Sequence, residues 1–271
     1  MSVVIEPTRG FKRLHLRELW DSRELMWFLV WRDIKVRYKQ TAFGVAWAVL
    51  QPLLLMVVFT LILHRFRGLA PGGIPYPLFV YSGLVPWTFF SQALSTASQS
   101  LVANSQLVSK IYFPRLIVPI AGIGSYLMDF VISFTLLIGL MAYYGVHPGA
   151  RLALVPLFVL FAIVTLFAVG LLLAALNVRY RDVKYAVASM LQVWMFLSPV
   201  VYDASKLVHG PLRIVYGLNP MAGVIQGFRW SLVGGPPPGA MVTVSASVTV
   251  LLLVWSLAYF QKIERGFADV I

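Results

Sequence analysis

Asp129 is the first residue of this 271-residue chain to demand a chemical reason. It stands inside the apolar run from Leu116 to Tyr144, where an ionisable side chain is costly and marks a function by default. The preceding stretch, from Gly122 through Gly124, Ser125 and Tyr126, is rich in small residues that let helices approach closely. Two readings follow: a carboxylate hydrogen-bonded to a neighbouring helix at a packing interface, which is favoured, or a proton-coupling acid. The second would want a basic partner, and the same span holds none. Of the other acids, Asp203 lies at the end of the fifth apolar run and the rest sit in polar connections. His15, His64, His147 and His209 are scattered through separate connections, and no pair of acids has a spacing that would hold Mg2+ beside a phosphate. No metal site is therefore expected. With no cysteine and no G-x-x-x-x-G-K-[ST] loop, the chain offers neither a thiolate nor a cradle for the phosphates of ATP. If ATP drives it, a partner hydrolyses the ATP.

A second group of residues suits contact with sugars. Ser91, Ser95, Ser98 and Ser105 recur at helical spacing, with Gln92, Thr96 and Gln99 on the adjoining stripe. Just before them stand Tyr81, Trp87, Phe89 and Phe90. Hydroxyls and amides crowned by aromatic rings suit a glycan passage. The same residue types also pack transmembrane helices and form interfacial belts, and the two readings stand near even. Trp194, Phe196 and Tyr202 add aromatics near a Ser198-Pro199 step, where proline is expected to kink the fifth span into a static bend or a gate.

The elements that must position these residues are membrane helices. The chain is 59% hydrophobic and 12% charged, with a mean hydropathy of +0.82, outside the range of soluble domains. The expected fold is an all-α integral membrane protein with six spans: Phe43 to Leu63, Leu78 to Val102, Leu116 to Tyr144, Leu152 to Leu176, Tyr185 to Val201, and Met241 to Phe260. Between the last two, residues 204–239 are apolar but broken by Gly-Pro, Asn-Pro and Gly-Gly-Pro-Pro-Pro-Gly, so re-entrant half-helices fit better than a seventh span. Residues 1–42 form an amphipathic segment, 43–203 carry spans one to five, and 240–271 hold the last span and a tail, all within one domain.

Sixteen of the 22 Lys and Arg fall on the side of the membrane shared by both termini, so both termini are expected to be cytoplasmic. The net charge of +12 is spread between apolar runs, which argues for orientation and lipid contact rather than nucleic acid. No signal-peptide pattern opens the chain. In the amino-terminal segment Leu16, Leu19, Trp20, Trp27, Val30, Trp31, Ile34 and Tyr38 recur opposite charged residues, a pattern suited to an interfacial helix or to a plain topology anchor.

Several local stretches resemble the permease subunits of ABC-2-type polysaccharide exporters, and most of all the O-antigen export permeases. They are RDIKVRYKQ at 32–40, WAVLQPLL at 47–54, SGLVPWTFF at 82–90, KIYFPR at 110–115, NVRYRDV at 177–183 and NPMAGVIQGFRW at 219–230. Their order and spacing match the family over nearly the whole chain. Capsule and teichoic-acid export permeases share the architecture and form the alternative, and an ion-driven secondary transporter of lipid-linked glycans ranks below them because a single broken hairpin and one central acid are present.

The resemblance implies a transporter rather than an enzyme. It implies a homodimer in the bacterial inner membrane, joined to two ATP-binding cassette subunits that bind ATP and Mg, with no cofactor in this chain. The substrate implied is a lipid-linked polysaccharide, carried on undecaprenyl pyrophosphate from cytoplasm to periplasm. By position, Asn104, Gln106, Leu107, Lys110, Tyr112 and Arg115 fall in the segment that couples to the ATPase. Tyr81, Trp87, Phe89, Phe90, Ser91, Ser95, Gln99, Trp194 and Phe196 become glycan-path candidates. Arg13, Arg17, Lys35 and Arg37 are candidates for attracting a lipid pyrophosphate at the entrance, with contact to anionic headgroups as the competing reading.

Overall fold

The computed structural model describes residues 16–39, 44, 46–63, 73–204, 210, 212–235 and 237–264, and all regular structure among them is helical. Two helices, α1 (Leu16–Asp21) and α2 (Arg23–Lys39), precede α3 (Ala46–Leu63) and the 28-residue α4 (Tyr76–Ala103). A short α5 (Ser105–Lys110) leads to α6 (Ile117–Gly124) and α7 (Leu127–Tyr143). A 3-10 turn (Ala150–Leu154) opens α8 (Val155–Arg179), followed by α9 (Val183–Phe196). The chain then forms α10 (Leu212–Tyr216), α11 (Pro220–Val233) and α12 (Ala240–Glu264).

Among the described residues three stretches are long and apolar enough to cross a membrane by length and composition: Ile117–Tyr143, Ala150–Arg179 and Ala240–Glu264. Ala46–Ile62 is apolar but shorter. α4 has the length, at about 1.5 Å of rise per residue, but its Ser, Thr and Gln lower its hydropathy. The fifth expected span changes most. The sequence predicts a continuous, kinked helix to Val201, whereas α9 stops at Phe196 and residues 197–203 run as turns and bends. Pro199 removes a backbone donor, and side chains from other elements take up the carbonyls that a longer helix would have used. The described residues between 204 and 239 include two short helices, α10 and α11.

Local chemistry explains the helix boundaries. Pro75 precedes α4 and Pro77 sits in its first turn, where a missing N–H costs nothing. The Asn219 side chain accepts from the Met221 amide with Pro220 as the first residue of α11. Gly234, at φ 83°, ends that helix in a conformation other residues resist.

α4 is the axis of the bundle: residues 78–90 are buried on every side, with α8 and α11 packed along it and α3, α6 and α7 closing the remainder. Lipid tails are as apolar as leucine, so helices in a bilayer associate through close contact rather than hydrophobic exclusion. Small residues make that contact. A Cβ added at Gly170 of α8 would sit 3.2 Å from the Ala97 methyl of α4, and one at Gly227 of α11 would overlap the Phe158 ring. α11 is accordingly the most enclosed helix, with all of its residues except Trp230 buried.

Candidate functional site

Asp129 has its basic partner, and it comes from another element. Arg37, two residues before the end of α2, donates from Nη1 to Asp129 Oδ2 at 2.8 Å and from Nη2 to the Ser125 hydroxyl at 2.9 Å. Its guanidinium lies 3.5 Å from the centroid of the Tyr126 ring. The Tyr38 hydroxyl donates to the other carboxylate oxygen. Between α6 and α7 the helix loosens at Ser125 and Tyr126, and the Ser125 carbonyl accepts from Arg37 at 3.4 Å. Both Asp129 oxygens are thus hydrogen-bonded, and the carboxylate pins α2 to α7. The hydrogen bonds to a neighbouring helix that the packing reading expects are present, and the basic partner that the span itself lacks comes from α2.

α2 itself differs from the single amphipathic stripe expected. Leu29 and Val30 are buried against Ile117 and Ala121 of α6, with Leu107 and Phe113 beside them. Trp27, Phe28 and Trp31 of α2 point away from the protein, Trp27 at 67% exposure, as does Trp20 of the preceding α1 at 69%. The helix has one apolar face for protein and another turned outward, so the Trp residues grouped with Val30 in the sequence lie on a different face. Of the entrance candidates, Lys35 is exposed and lies 5.3 Å from the Trp31 ring centroid, whereas Arg37 is committed to Asp129. Arg13 and the side chain of Arg17 lie outside the described residues.

The segment from Asn104 to Arg115 divides into an inward and an outward set. Asn104 is the hinge between α4 and α5: its Nδ2 donates to the Ser100 carbonyl at 2.8 Å, and its Oδ1 accepts from Arg32 of α2 at 2.8 Å. Arg32 also holds Asp33 at 2.8 Å. Leu107 packs under α2, and Arg115 donates to the Glu264 carbonyl at the end of α12. Gln106 and Lys110 are exposed, and Tyr112 is 97% exposed next to an exposed Ile111. Inward residues tie the segment to α2, α4 and α12, while outward residues form a mixed polar and aromatic tip.

The aromatic crown is not a surface. Tyr81 and Phe90 have no exposure, and Trp87 and Phe89 have 3% each, so no passing molecule touches these four in this subunit. Trp87 and Phe90 meet the Trp194 ring edge-on, while Phe89 packs against Phe130. The sequence grouped these rings by proximity along the chain; on a helix buried on all sides they become core. Trp194 is also drawn inward, its indole N–H donating to Asn219 Oδ1 at 2.8 Å. Phe196 remains 65% exposed.

The hydroxyls of α4 bond mostly to their own helix: Thr88, Ser91, Ser98 and Ser100 reach back to carbonyls three or four residues earlier. Other α4 side chains reach across to neighbouring helices, among them Thr96 to the Tyr126 hydroxyl at 2.8 Å and Gln92 to Gln51 of α3 at 2.7 Å. Ser91, Gln92, Ser95 and Gln99 stay half-buried, a polar strip at the edge of the subunit. Among the described residues no three His, Asp or Glu side chains gather in one place.

The family model for ABC-2 type transporters matches residues 24–233. The chain belongs to the ABC-2-type transporter family. It is 30% identical over 257 residues to the O-antigen export system permease protein RfbA of Myxococcus xanthus, covering 94% of this chain and 98% of that one. A protein of the same name from Klebsiella pneumoniae is 26% identical over 242 residues, covering 89% and 92% of the two chains. The polysialic acid transport protein KpsM of Escherichia coli is 23% identical over 246 residues, covering 87% and 92%.

Four residues of this ABC-2-type transporter domain matter more than their sequence context suggested. Arg32 bridges α2 to the hinge at Asn104, and Gln51 extends the polar strip onto α3. Asn219 and Arg229 bind the turns that follow α9. A signal existed for Arg229, a cation within an apolar stretch, which rarely occurs without a partner. Arg32 and Asn219 carried none beyond their residue types, because their partners lie 72 and 22 residues away.

Proposed function

We propose that the chain is the membrane-spanning subunit of an ATP-driven exporter that moves a lipid-linked polysaccharide, O-antigen in type, from the cytoplasm to the periplasm. The observation carrying this is similarity along almost the full length of both chains to proteins named as O-antigen export permeases. Two copies of the chain pair with two ATP-binding subunits in the bacterial inner membrane. Six spans, counting α4 and a short fifth built on α9, place both termini in the cytoplasm and α10 and α11 as a re-entrant periplasmic hairpin. The excess of Lys and Arg on the terminal side supports that orientation.

In this reading the ATPase meets the outward tip formed by Gln106, Lys110, Ile111 and Tyr112, the most exposed part of the segment between α4 and α6. The glycan follows the strip of Gln51, Ser91, Gln92, Ser95 and Gln99, closed from lipid by the second copy, with Phe196 near its outer end. Amides and hydroxyls there bind sugars weakly and in series, as suits a passage rather than a storage site. Lys35, beside the outward Trp face of α2, offers a cation to the lipid pyrophosphate. A capsule permease is the second reading, favoured by the lower similarity to the polysialic acid protein.

The test is reconstitution of the chain with its ATPase in vesicles loaded with lipid-linked glycan, together with mass spectrometry of the glycan that accumulates in cells lacking the chain. ATP-dependent appearance of a lipid-linked O-antigen on the far side is expected. Movement without ATP, or accumulation of an unrelated lipid, refutes the proposal, and a capsular repeat selects the second reading.

A further inference from the structure

The turns after α9 are held by side chains to an unusual degree. Where a helix stops, its last carbonyls lose their partners, and each must be satisfied by other groups or by water. Four of those between Phe196 and Val201 accept from side chains. The Phe196 carbonyl accepts from the Tyr202 hydroxyl at 3.1 Å and the Leu197 carbonyl from Asn219 Nδ2 at 3.1 Å. The Val200 carbonyl accepts from Arg229 Nη2 at 2.6 Å and the Val201 carbonyl from the Tyr76 hydroxyl at 3.0 Å. The donors come from the turn itself, from the start of α4, from the cap of α11 and from the body of α11.

Asn219 commits its whole amide to this task. Its Nδ2 also reaches the Ser198 hydroxyl at 2.9 Å, and its Oδ1 accepts from Trp194 Nε1 at 2.8 Å and from the Met221 amide at 3.1 Å. Arg229 is 5% exposed, bonds Ser82 Oγ at 3.3 Å and lies 3.8 Å from the Phe79 ring centroid, with buried Asp203 supplying opposite charge nearby. Gly83 makes this approach possible, because a Cβ there would overlap both Arg229 and the Val200 carbonyl. Two further ties extend the network. Tyr202 and Tyr216 share a hydroxyl bond of 2.6 Å, and Ser245 of α12 donates to the Gly217 carbonyl at 2.9 Å.

Opening such a network away from water leaves a buried guanidinium and several carbonyls without partners at once, the costliest kind of rearrangement. We infer that Tyr76, Asn219 and Arg229 weld residues 197–203 to α4 and α11, with the end of α10 tied on through Tyr216, as one rigid block, so that the outer mouth opens by moving the block as a body and never by unfolding it. The three are positioning residues. Which side is the outer one rests on the orientation proposed above.

The chain has no cysteine, so a pair can be introduced cleanly. The variant Y202C/Y216C, joined by a bismaleimide, should export within about twofold of the same protein before crosslinking. A tenfold loss on crosslinking overturns the inference. Hydrogen exchange of the purified ATPase complex reads the block without transport. The amides of Leu197, Ser198 and Val200, bonded to the carbonyls of Val193, Met195 and Ser198, should exchange as slowly as those of α11, and R229M should speed the Val200 amide at least tenfold with α8 unchanged, R229K less. Fast exchange of these three amides in the unmodified protein overturns the inference, whereas a parent that is well protected yet fails to export strikes only the proposed function.

Discussion

The Arg37–Asp129 ion pair ties α2 to α7, beside the Arg32–Asn104 bond and the packing of Leu29 and Val30 on α6. Arg37 and Asp129 are both mostly shielded, at 25% and 11% side-chain exposure, and Tyr126, Tyr38 and Ser125 complete their coordination. Removing one partner of such a pair strands the other charge, at a cost of roughly 3 kcal/mol. R37M and D129L should therefore each lower the thermal stability of the purified protein markedly. The double variant R37M/D129L should recover most of that loss, because replacing both ends with apolar groups removes the stranded charge. A double-mutant cycle on unfolding in detergent measures the coupling. If the two losses simply add, the pair does not hold α2.

At the scale of the element, α11 depends on glycines that bring its backbone against neighbours. G227A places a methyl group inside the Phe158 ring of α8 and should cost about 1–3 kcal/mol as the core shifts to accept it. Shortening the obstacle in G227A/F158L should restore part of the loss, which thermal unfolding of the three proteins will show. By contrast G139A, on a face of α7 where nothing lies within 4 Å of an added Cβ, should leave stability unchanged or raise it by up to about 1 kcal/mol. The contrast separates close packing from helix propensity, since alanine is the better helix former at both sites.

For the whole molecule, the division of the Asn104 to Arg115 segment predicts two kinds of defect. K110E and Y112A touch only the outward tip, so they should reduce co-purification of the ATPase and export several-fold while insertion and thermal stability stay unchanged. R115E and N104A break ties to α12 and α2, so they should lower stability as well. Equal behaviour of the two pairs in thermal unfolding would refute the division. The primary sequence by itself determined that the protein is helical and built for a membrane, because apolar runs of spanning length and the placement of Lys and Arg are local properties that add along the chain. It also carried the family, through motifs whose order survives in one dimension. Tertiary structure alone decided that Tyr81, Trp87, Phe89 and Phe90 are core, because whether a helix face is covered depends on neighbours distant in sequence. It decided that Asp129 is paired, because Arg37 arrives from 92 residues away. And it decided where α9 ends, because the carbonyls freed beside Pro199 find their donors only once α4 and α11 are in place.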